Sequence, residues 1–401
     1  MATIIRQSYI DKIERFLGKE TIIVLVSQRR VGKSCMMKMI RDRKISDSSN
    51  NIIYIDKEKR EFDHIQTYQD LNEYIGQHFH SDKHNYILID EIQDIKEFER
   101  SIRIYRTEPN TDIIITGSNA RMLSNELSTI IGGRYKEIYI QSLSYNEFLQ
   151  FHHLSDNDEA LALYIQYGGL PGLAKIVLEE DDAREYQIDI YHTVLLKDVI
   201  MRNQIRNVPF LENLVRFLAD NTGKLISANS IAKYMKSQGE SITSTAIINY
   251  ISFLCEAYIL HKVNRYDIHG KRIFETNDKF YFEDNGIRNA IAGGTGEEDI
   301  EKVIENIIYQ HLIRLGYQVY VGQLQAGEID FVCTKPGGER IYVQASYIIY
   351  DKATREREFG NLRAIKDNYP KYVISMTPLL NKNDDDGITH IHLRKFLTEG
   401  L

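Results

Sequence analysis

The amino-terminal part of the chain alternates short apolar runs with polar stretches. The runs are residues 21–26, 52–55, 86–89 and 112–116, and most of their positions are isoleucine, valine or leucine. Continuous β-branched and aliphatic runs are typical of strands buried on both faces of a parallel sheet. After the first run and a short polar segment, apolar residues recur at helical spacing over residues 35–40. We therefore predict an α/β fold with a parallel sheet over residues 1–150.

The first apolar run leads into a segment with the composition of a phosphate-binding loop. Gly32, Lys33 and Ser34 match the end of the pattern G-x-x-x-x-G-K-S/T, whereas Ser27 stands at its first glycine. In such a loop the backbone amides face the phosphates, the lysine bridges the β- and γ-phosphates, and the hydroxyl ligates Mg²⁺. Serine lacks the backbone freedom of glycine, which leaves affinity and turnover open. The predicted nucleotide-binding residues are Ser27, Gln28, Arg29, Arg30, Val31, Gly32, Lys33, Ser34 and Cys35.

Two carboxylates end the apolar run at residues 86–89. Asp90 and Glu91 follow it directly, and ligands of such sheets bind at the carboxyl ends of the strands. Asp90 is predicted to hold Mg²⁺ together with Ser34, and Glu91 to polarise the water that attacks the γ-phosphate. Lys33 and Glu91 are thus the predicted catalytic residues.

Further polar residues follow the run at 112–116, on a strand expected between the other two. Ser118 and Asn119 are candidates to sense the γ-phosphate or the attacking water, or they form only a turn that caps a helix starting near Ala120. Arg134 follows a glycine pair and is an arginine-finger candidate. It could reach a phosphate of its own subunit or of a neighbour in an oligomer, or it could be solvated.

The middle of the chain changes character twice. Residues 151–210 are predicted to be helical with a break at residues 168–172, forming a lid over the nucleotide or a plain linker. Residues 211–292 predict helix, turn, helix and hairpin, the order of a winged helix. From Lys224 to Arg272 there are seven Lys or Arg against three Asp or Glu. That excess suits contacts with the phosphates of double-stranded DNA, while a protein-binding or purely structural wing is the open alternative.

The segment 293–401 combines a helix over 297–315, which carries Glu305, with strands near 317–321, 328–332 and 340–346. This order resembles the PD-(D/E)XK nuclease fold, whose chemistry needs carboxylates for Mg²⁺ and a lysine that orients water. Asp330 matches, but the triplet on the next strand is Gln344-Ala345-Ser346. Gln344 brings no charge and Ser346 no ammonium, so we expect a degenerate site without cleavage.

These motifs together resemble the AAA-type ATPases of bacteria and archaea whose ATPase module is joined to a C-terminal domain of unknown function. The resemblance rests on the loop and on the segments 89–91, 116–119, 132–134, 143–148, 167–171, 195–199 and 327–331. It implies an intracellular ATPase with ATP and Mg²⁺ at the loop, and it implies no particular client.

Composition narrows the setting without changing this picture. The chain has 401 residues, a formal net charge of -7, 43% hydrophobic content and three cysteines. These values fit a multidomain globular protein in the reducing cytoplasm, without a signal peptide or a membrane segment. The predicted domains are an ATPase core at 1–150, a helical lid at 151–210, a winged helix at 211–292 and the nuclease-like domain at 293–401.

The predicted reaction is ATP hydrolysis coupled to binding of DNA or a protein partner. One rival is a nucleotide-gated binding switch with negligible turnover. The other is a nuclease regulated by ATP.

Overall fold

The computed structural model describes residues 4–120, 133–239, 242–270, 272–294, 296, 299–324, 327–378 and 383–401. The helix predicted from Ala120 onward, the turn at 239–241 and the first residues of the helix predicted at 297–315 fall wholly or partly outside them. The chain forms two compact units. The first comprises residues 1–141 and 256–258, and the second comprises residues 142–255 and 259–401.

The first unit is built on a five-stranded sheet in the order β2-β3-β4-β1-β5. Its strands are β1 (Ile22–Val26), β2 (Asn50–Asp56), β3 (His84–Asp90), β4 (Thr111–Gly117) and β5 (Tyr135–Tyr139). All neighbours pair in parallel. The predicted parallel α/β core is therefore confirmed, with β4 between β1 and β3. Because parallel strands share one direction, their carboxyl ends meet at one edge of the sheet.

Helix α1 (Gln7–Glu14) precedes β1. The helices α2 (Lys33–Lys44), α3 (Tyr68–His78) and α4 (Glu99–Tyr105) lie between successive strands from β1 to β4, as parallel crossovers require. Isoleucines and valines of β1, β3 and β4 form one buried cluster with residues such as Leu71 and Ile75 of α3. This cluster holds the strands rigid beneath the residues at their ends.

The second unit begins with helices. They are α5 (Tyr145–His152), α6 (Asp158–Tyr167), α7 (Glu180–Val194), which a π-helical segment (Leu195–Met201) continues, and α8 (Val208–Asp220). The helical character predicted for residues 151–210 is present, broken at 168–172 as expected. Whether these helices act as a lid stays a prediction.

The next elements are α9 (Ala228–Ser237), α10 (Ser244–Glu256) and the antiparallel strands β6 (Leu260–Asp267) and β7 (Arg272–Phe282). The predicted order of helix, helix and hairpin is present, and its interpretation as a winged helix stays a prediction. Strand β7 is much longer than the predicted 272–274. The hydrophobic pattern does not indicate the rest of this strand, because Asn277, Asp278 and Lys279 are polar.

An eight-stranded sheet in the order β12-β13-β11-β10-β9-β8-β6-β7 organises the rest. The remaining strands are β8 (Gln318–Gln323), β9 (Glu328–Thr334), β10 (Arg340–Ser346), β11 (Lys371–Ser375), β12 (Asn383–Asp385) and β13 (Ile388–His392). The remaining helices are α11 (Asn285–Ala292), α12 (Ile300–Arg314), α13 (Lys352–Ala364) and α14 (Leu393–Glu399). Strand β6 pairs in parallel with β8, so one sheet contains both the hairpin and the strands that follow residue 293. Within the described residues, no helix combines the length and apolar character needed to cross a bilayer.

Candidate nucleotide-binding site

The loop between β1 and α2 takes its shape from two residues with positive φ. Gly32 has φ 107° and directly precedes α2, and Arg30 has φ 68°. An L-residue at φ 107° is strained, so glycine is required at position 32. Ser27 is not among the described residues with positive φ. The glycine of the general pattern is therefore not needed at position 27 for its backbone freedom.

Lys33 opens α2 and turns its amino group back over the loop. Its Nζ lies 3.2 Å from the carbonyl oxygen of Ser27, 3.2 Å from that of Gln28 and 3.2 Å from the Ser27 hydroxyl. Gly32 offers no side chain that could cap the helix. Because the first amides of a helix have no acceptor within it, the start of α2 suits an anion.

Asp90 ends β3 and is buried beside Ser34 and Thr116. Thr116 Oγ1 donates to Asp90 Oδ1 at 2.5 Å, and Ser34 also hydrogen-bonds this carboxylate. Burial raises the pKa of Asp90 above its ordinary value, against the lowering effect of these two hydrogen bonds. A hydroxyl and a buried carboxylate side by side are oxygen ligands of the kind that Mg²⁺ prefers.

Thr116 is a residue that the sequence argument missed. It lies on β4, and its Oγ1 also accepts the Glu91 amide at 2.9 Å. It therefore fixes the carboxylate of Asp90 and the backbone of Glu91. A single hydroxyl after three isoleucines at the end of a central strand was the available signal.

Glu91 stands in the left-handed region, at φ 52°, directly after β3. Its Oε2 lies 3.7 Å from Arg29 Nη2 and accepts hydrogen bonds from Ser118 Oγ, at 3.4 Å, and from the Gln93 amide. Burial works to raise the pKa of Glu91, but the charges of Lys33 and Arg29 outweigh it and the pKa is lowered. The side chain is therefore a carboxylate that can accept a hydrogen bond from water.

The other predicted site residues divide into two groups. Gln28, Val31, Ser118 and Asn119 are buried near the loop and strand ends, while Arg30 and Cys35 are exposed. Arg134 is exposed and directly precedes β5, where its carbonyl accepts the Ile22 amide. Ile22 begins β1, whereas the loop follows the end of β1. Arg134 therefore lies at the opposite edge of the sheet from the loop of its own chain.

A second cluster of charges lies in the other unit. Lys279 Nζ contacts Glu328 at 2.7 Å, Glu305 at 2.8 Å and Asp330 at 3.4 Å, and only 3% of the lysine side chain is exposed. Burial alone would lower the pKa of Lys279, but the three carboxylates raise it. Burial also raises the pKa of Glu305, to about 7.

Three of the predicted degenerate nuclease residues, Glu305, Asp330 and Gln344, meet at this cluster. Asp330 Oδ2 accepts the Ala345 amide at 2.9 Å, and Gln344 Oε1 accepts the Asp330 amide at 3.3 Å. Ser346 is buried. Among the residues that the structure describes, no group of three or more His, Cys, Asp or Glu side chains is arranged to hold a metal ion.

Sequence reasoning missed Glu328 and Lys279. Glu328 was visible as a carboxylate two positions before Asp330, on the same face of β9. Lys279 was recognisable only as a charge beside the apolar Phe280-Tyr281-Phe282.

The sequence matches two protein-family models and two uncharacterized proteins. A family model described as an AAA domain matches residues 19–149, and a domain of unknown function (DUF8612) matches residues 158–298. An uncharacterized protein of Haemophilus influenzae is 33% identical over 406 residues, covering 99% of this chain and 99% of its own. An uncharacterized protein of Methanocaldococcus jannaschii is 25% identical over 371 residues, covering 88% and 81%.

One solved structure supports the fold. The Walker-type ATPase of Pyrococcus abyssi superposes with a TM-score of 0.52 at 14% sequence identity, and the match covers 72% of this chain and 96% of that one. At this identity the likeness concerns the fold alone.

Proposed function

The chain belongs to the same family as its uncharacterized Haemophilus influenzae relative and matches an AAA domain over residues 19–149, and from that premise we propose that it binds and hydrolyses ATP at the loop between β1 and α2. The supporting observation is the convergence of four groups at one sheet edge. Lys33 and Ser34 lie at the start of α2, directly after the loop. Asp90, which hydrogen-bonds Ser34, ends β3, and Glu91 follows it. Phosphoryl transfer needs charge neutralisation and positioning, and these groups supply both.

Each side chain has a task in the proposed reaction. Lys33 exchanges its loop acceptors for the β- and γ-phosphate oxygens, and the amides at the start of α2 hold the β-phosphate. Glu91 accepts a hydrogen bond from the water that attacks the γ-phosphorus. As the new P–O bond forms, the bond to the β–γ bridging oxygen breaks, and ADP leaves with the electron pair.

The oxygens of Ser34 and Asp90 fit Mg²⁺, because a hydroxyl and a buried carboxylate lie together there. When bound, the ion supplies charge neutralisation on the β- and γ-phosphate oxygens. Asp90 holds its orientation through Thr116. Ser118, which contacts Glu91, is proposed to align this carboxylate when the γ-phosphate is present.

Arg134 is proposed to act on the nucleotide of a neighbouring subunit rather than its own. Its position before β5 is remote from the loop, which follows the opposite end of β1. An arginine finger supplied in trans fits an oligomer in which the exposed Arg134 faces a second loop.

The nucleotide cycle is proposed to control binding of DNA. The observation that favours DNA is a set of exposed lysines on and beside α9: Lys224, Lys233 and Lys236. Lysines on one helix face contact phosphates without reading sequence. With a labelled duplex, Lys233→Ala and Lys236→Ala should weaken binding about equally for unrelated sequences and reduce its salt dependence. Binding that neither variant weakens would favour a protein partner.

We propose that the 293–401 segment binds DNA or a protein partner and does not cleave DNA. The Lys279 ammonium stands among the carboxylates that a cation would need, and Ser346 replaces the lysine of the nuclease pattern. Mg²⁺- or Mn²⁺-dependent cutting of DNA that disappears in Asp330→Ala would contradict this.

The substitution Glu91→Gln separates hydrolysis from a nucleotide-gated switch. We expect ATP binding to persist and phosphate release to fall by at least about a hundredfold, because the amide accepts a water proton poorly. Glu61→Gln removes an exposed carboxylate of the same unit and should leave both unchanged. Turnover that is equally negligible in wild type and Glu91→Gln, with ATP binding retained, would favour the switch.

A further inference from the structure

Arg29 connects the phosphate-binding loop to the carboxylate at the end of β3. Its Nη2 lies 3.7 Å from Glu91 Oε2, and its Nη1 lies 3.7 Å from Glu58 Oε1. The Arg29 side chain is 13% exposed and that of Glu91 is 6% exposed, whereas Glu58 is 63% exposed. The contact with Glu91 is therefore sheltered from solvent, and the contact with Glu58 is not.

A guanidinium this close to Glu91 competes with water for the same carboxylate oxygen. Ser118 and Gln93 hydrogen-bond that oxygen as well, so the end of Glu91 is already surrounded by donors. In this arrangement the Glu91 carboxylate is held in one orientation, and its Oε2 is occupied by these donors. When one of these donors moves away, Oε2 becomes free to accept a hydrogen bond from the attacking water.

The loop that carries Arg29 is the segment that would receive the triphosphate. Arginine pairs with phosphate oxygens through its planar fork, and it keeps its charge in every such exchange. A γ-phosphate beside the loop offers several charged oxygens, whereas Glu91 offers one carboxylate. ADP ends at the β-phosphate and brings no such competitor.

We propose that Arg29 is a positioning residue that couples γ-phosphate binding to the release of Glu91. Without a γ-phosphate, Arg29 holds Glu91. When ATP binds, the guanidinium transfers to the γ-phosphate, and the freed Oε2 accepts the attacking water. This inference rests on the proposed ATPase function and adds to it a discrimination between ATP and ADP.

The test measures affinities for ADP and for a non-hydrolysable ATP analogue by calorimetry with Mg²⁺ present. In Arg29→Ala the preference for the analogue over ADP should fall by about tenfold, the usual effect of losing one charge-assisted contact. Arg29→Lys keeps the charge without the fork and should fall between. Arg41→Ala removes an arginine of α2 that pairs with Asp42 and should leave the preference unchanged.

A double-mutant cycle with Glu91 gives a readout that a merely structural role would not move. Because Arg29 no longer has to leave a carboxylate, Glu91→Gln should tighten binding of the ATP analogue by several-fold. The same change in the Arg29→Ala background should have no effect. Folding of each variant is checked by its thermal unfolding.

The possible results distinguish a failure of the proposed ATPase function from a failure of the proposed role of Arg29. If the wild type binds neither nucleotide, the proposed function and this inference both fail. If the wild type binds and hydrolyses ATP but Arg29→Ala and Arg29→Lys keep its nucleotide preference within about twofold, the inference alone is wrong. Equal effects of Glu91→Gln in both backgrounds would also overturn it.

Discussion

Single residues set the conformation of the phosphate-binding loop. Single charged residues, Arg29 beside Glu91 and Lys279 among its three carboxylates, also neutralise the buried carboxylates of the two units. Gly32 is demanded by a backbone angle, and the identity of Ser27 is not. The sequence pattern identified the loop residues because a phosphate-binding loop is a local feature with fixed spacing. It could not identify Thr116, Arg29–Glu91 or Lys279 as contacts, since each joins residues that are distant along the chain.

Two glycines of the first unit should respond oppositely to alanine. Gly32→Ala places a Cβ at φ 107° and should cost about 1–3 kcal/mol of stability together with nucleotide affinity. Gly76→Ala lies within α3, where a Cβ would meet only the Tyr105 hydroxyl at 3.5 Å. That change should stabilise by roughly 0.5–1 kcal/mol. Chemical denaturation of both variants measures the two signs, and equal signs would contradict the assigned backbone.

Lys279 should be essential to the stability of its unit. Lys279→Met removes the ammonium from three carboxylates and should destabilise by about 3–5 kcal/mol, because buried charges are left uncompensated. The matched change Lys395→Met breaks an exposed pair with Glu399 in α14 and should cost about 0.5 kcal/mol or less. Denaturant unfolding of the two variants gives the comparison. Similar losses in both would refute the buried cluster.

At the scale of elements, the hydrophobic pattern succeeded where one strand buries both faces. Strands β1 to β4 of the parallel sheet carry nearly continuous apolar runs, and their positions were predicted closely. Strand β5, with the charged Lys136 and Glu137, was not predicted. The hydrophobic pattern also fell short for β7, in which the polar residues 275–279 interrupt the apolar pattern. The parallel pairing of β6 with β8 was beyond reach, because residues 265 and 321 carry no local signal of contact.

Helix α5 starts with a capping box that should contribute measurably. Ser144 accepts the Glu147 amide, and the Glu147 carboxylate accepts the Ser144 amide at 2.8 Å. Ser144→Ala should lower stability by about 1 kcal/mol, because an amide of the first turn loses its acceptor. Ser155→Ala, in the exposed segment after α5, should change it little. Thermal unfolding distinguishes them, and an unaffected Ser144→Ala would contradict the cap.

At the scale of the whole molecule, the chain folds as two compact units, and the division into four functional domains stays a prediction. The first unit ends at residue 141 and includes residues 256–258, and the second spans residues predicted as three domains. The boundaries rested on motif positions, which mark chemistry rather than compactness. The sequence carries no local signal that strands before and after residue 293 join in a single sheet.

Acid should destabilise the protein in a window set by its buried histidines. Burial lowers the pKa of His311 to about 3 from an ordinary value of 6.5. The unfolded state therefore takes up the proton first, so this contribution is complete above pH 6.5 and is lost as the pH falls toward 3. Between pH 7.5 and 5 it should cost roughly 2 kcal/mol. His311→Leu should remove this part of the pH dependence, while His80→Leu, at an exposed site, should not.

Steady-state ATP hydrolysis with Mg²⁺, compared among wild type, Lys33→Ala and Lys38→Ala, tests the central claim most directly. Lys33 contacts the loop carbonyls that flank the phosphate position, whereas Lys38 lies one turn further along α2. We predict turnover in wild type and in Lys38→Ala, and a loss of at least about a hundredfold in Lys33→Ala. Equal phosphate release from wild type and Lys33→Ala, or a wild type that neither binds nor hydrolyses ATP, would contradict the account.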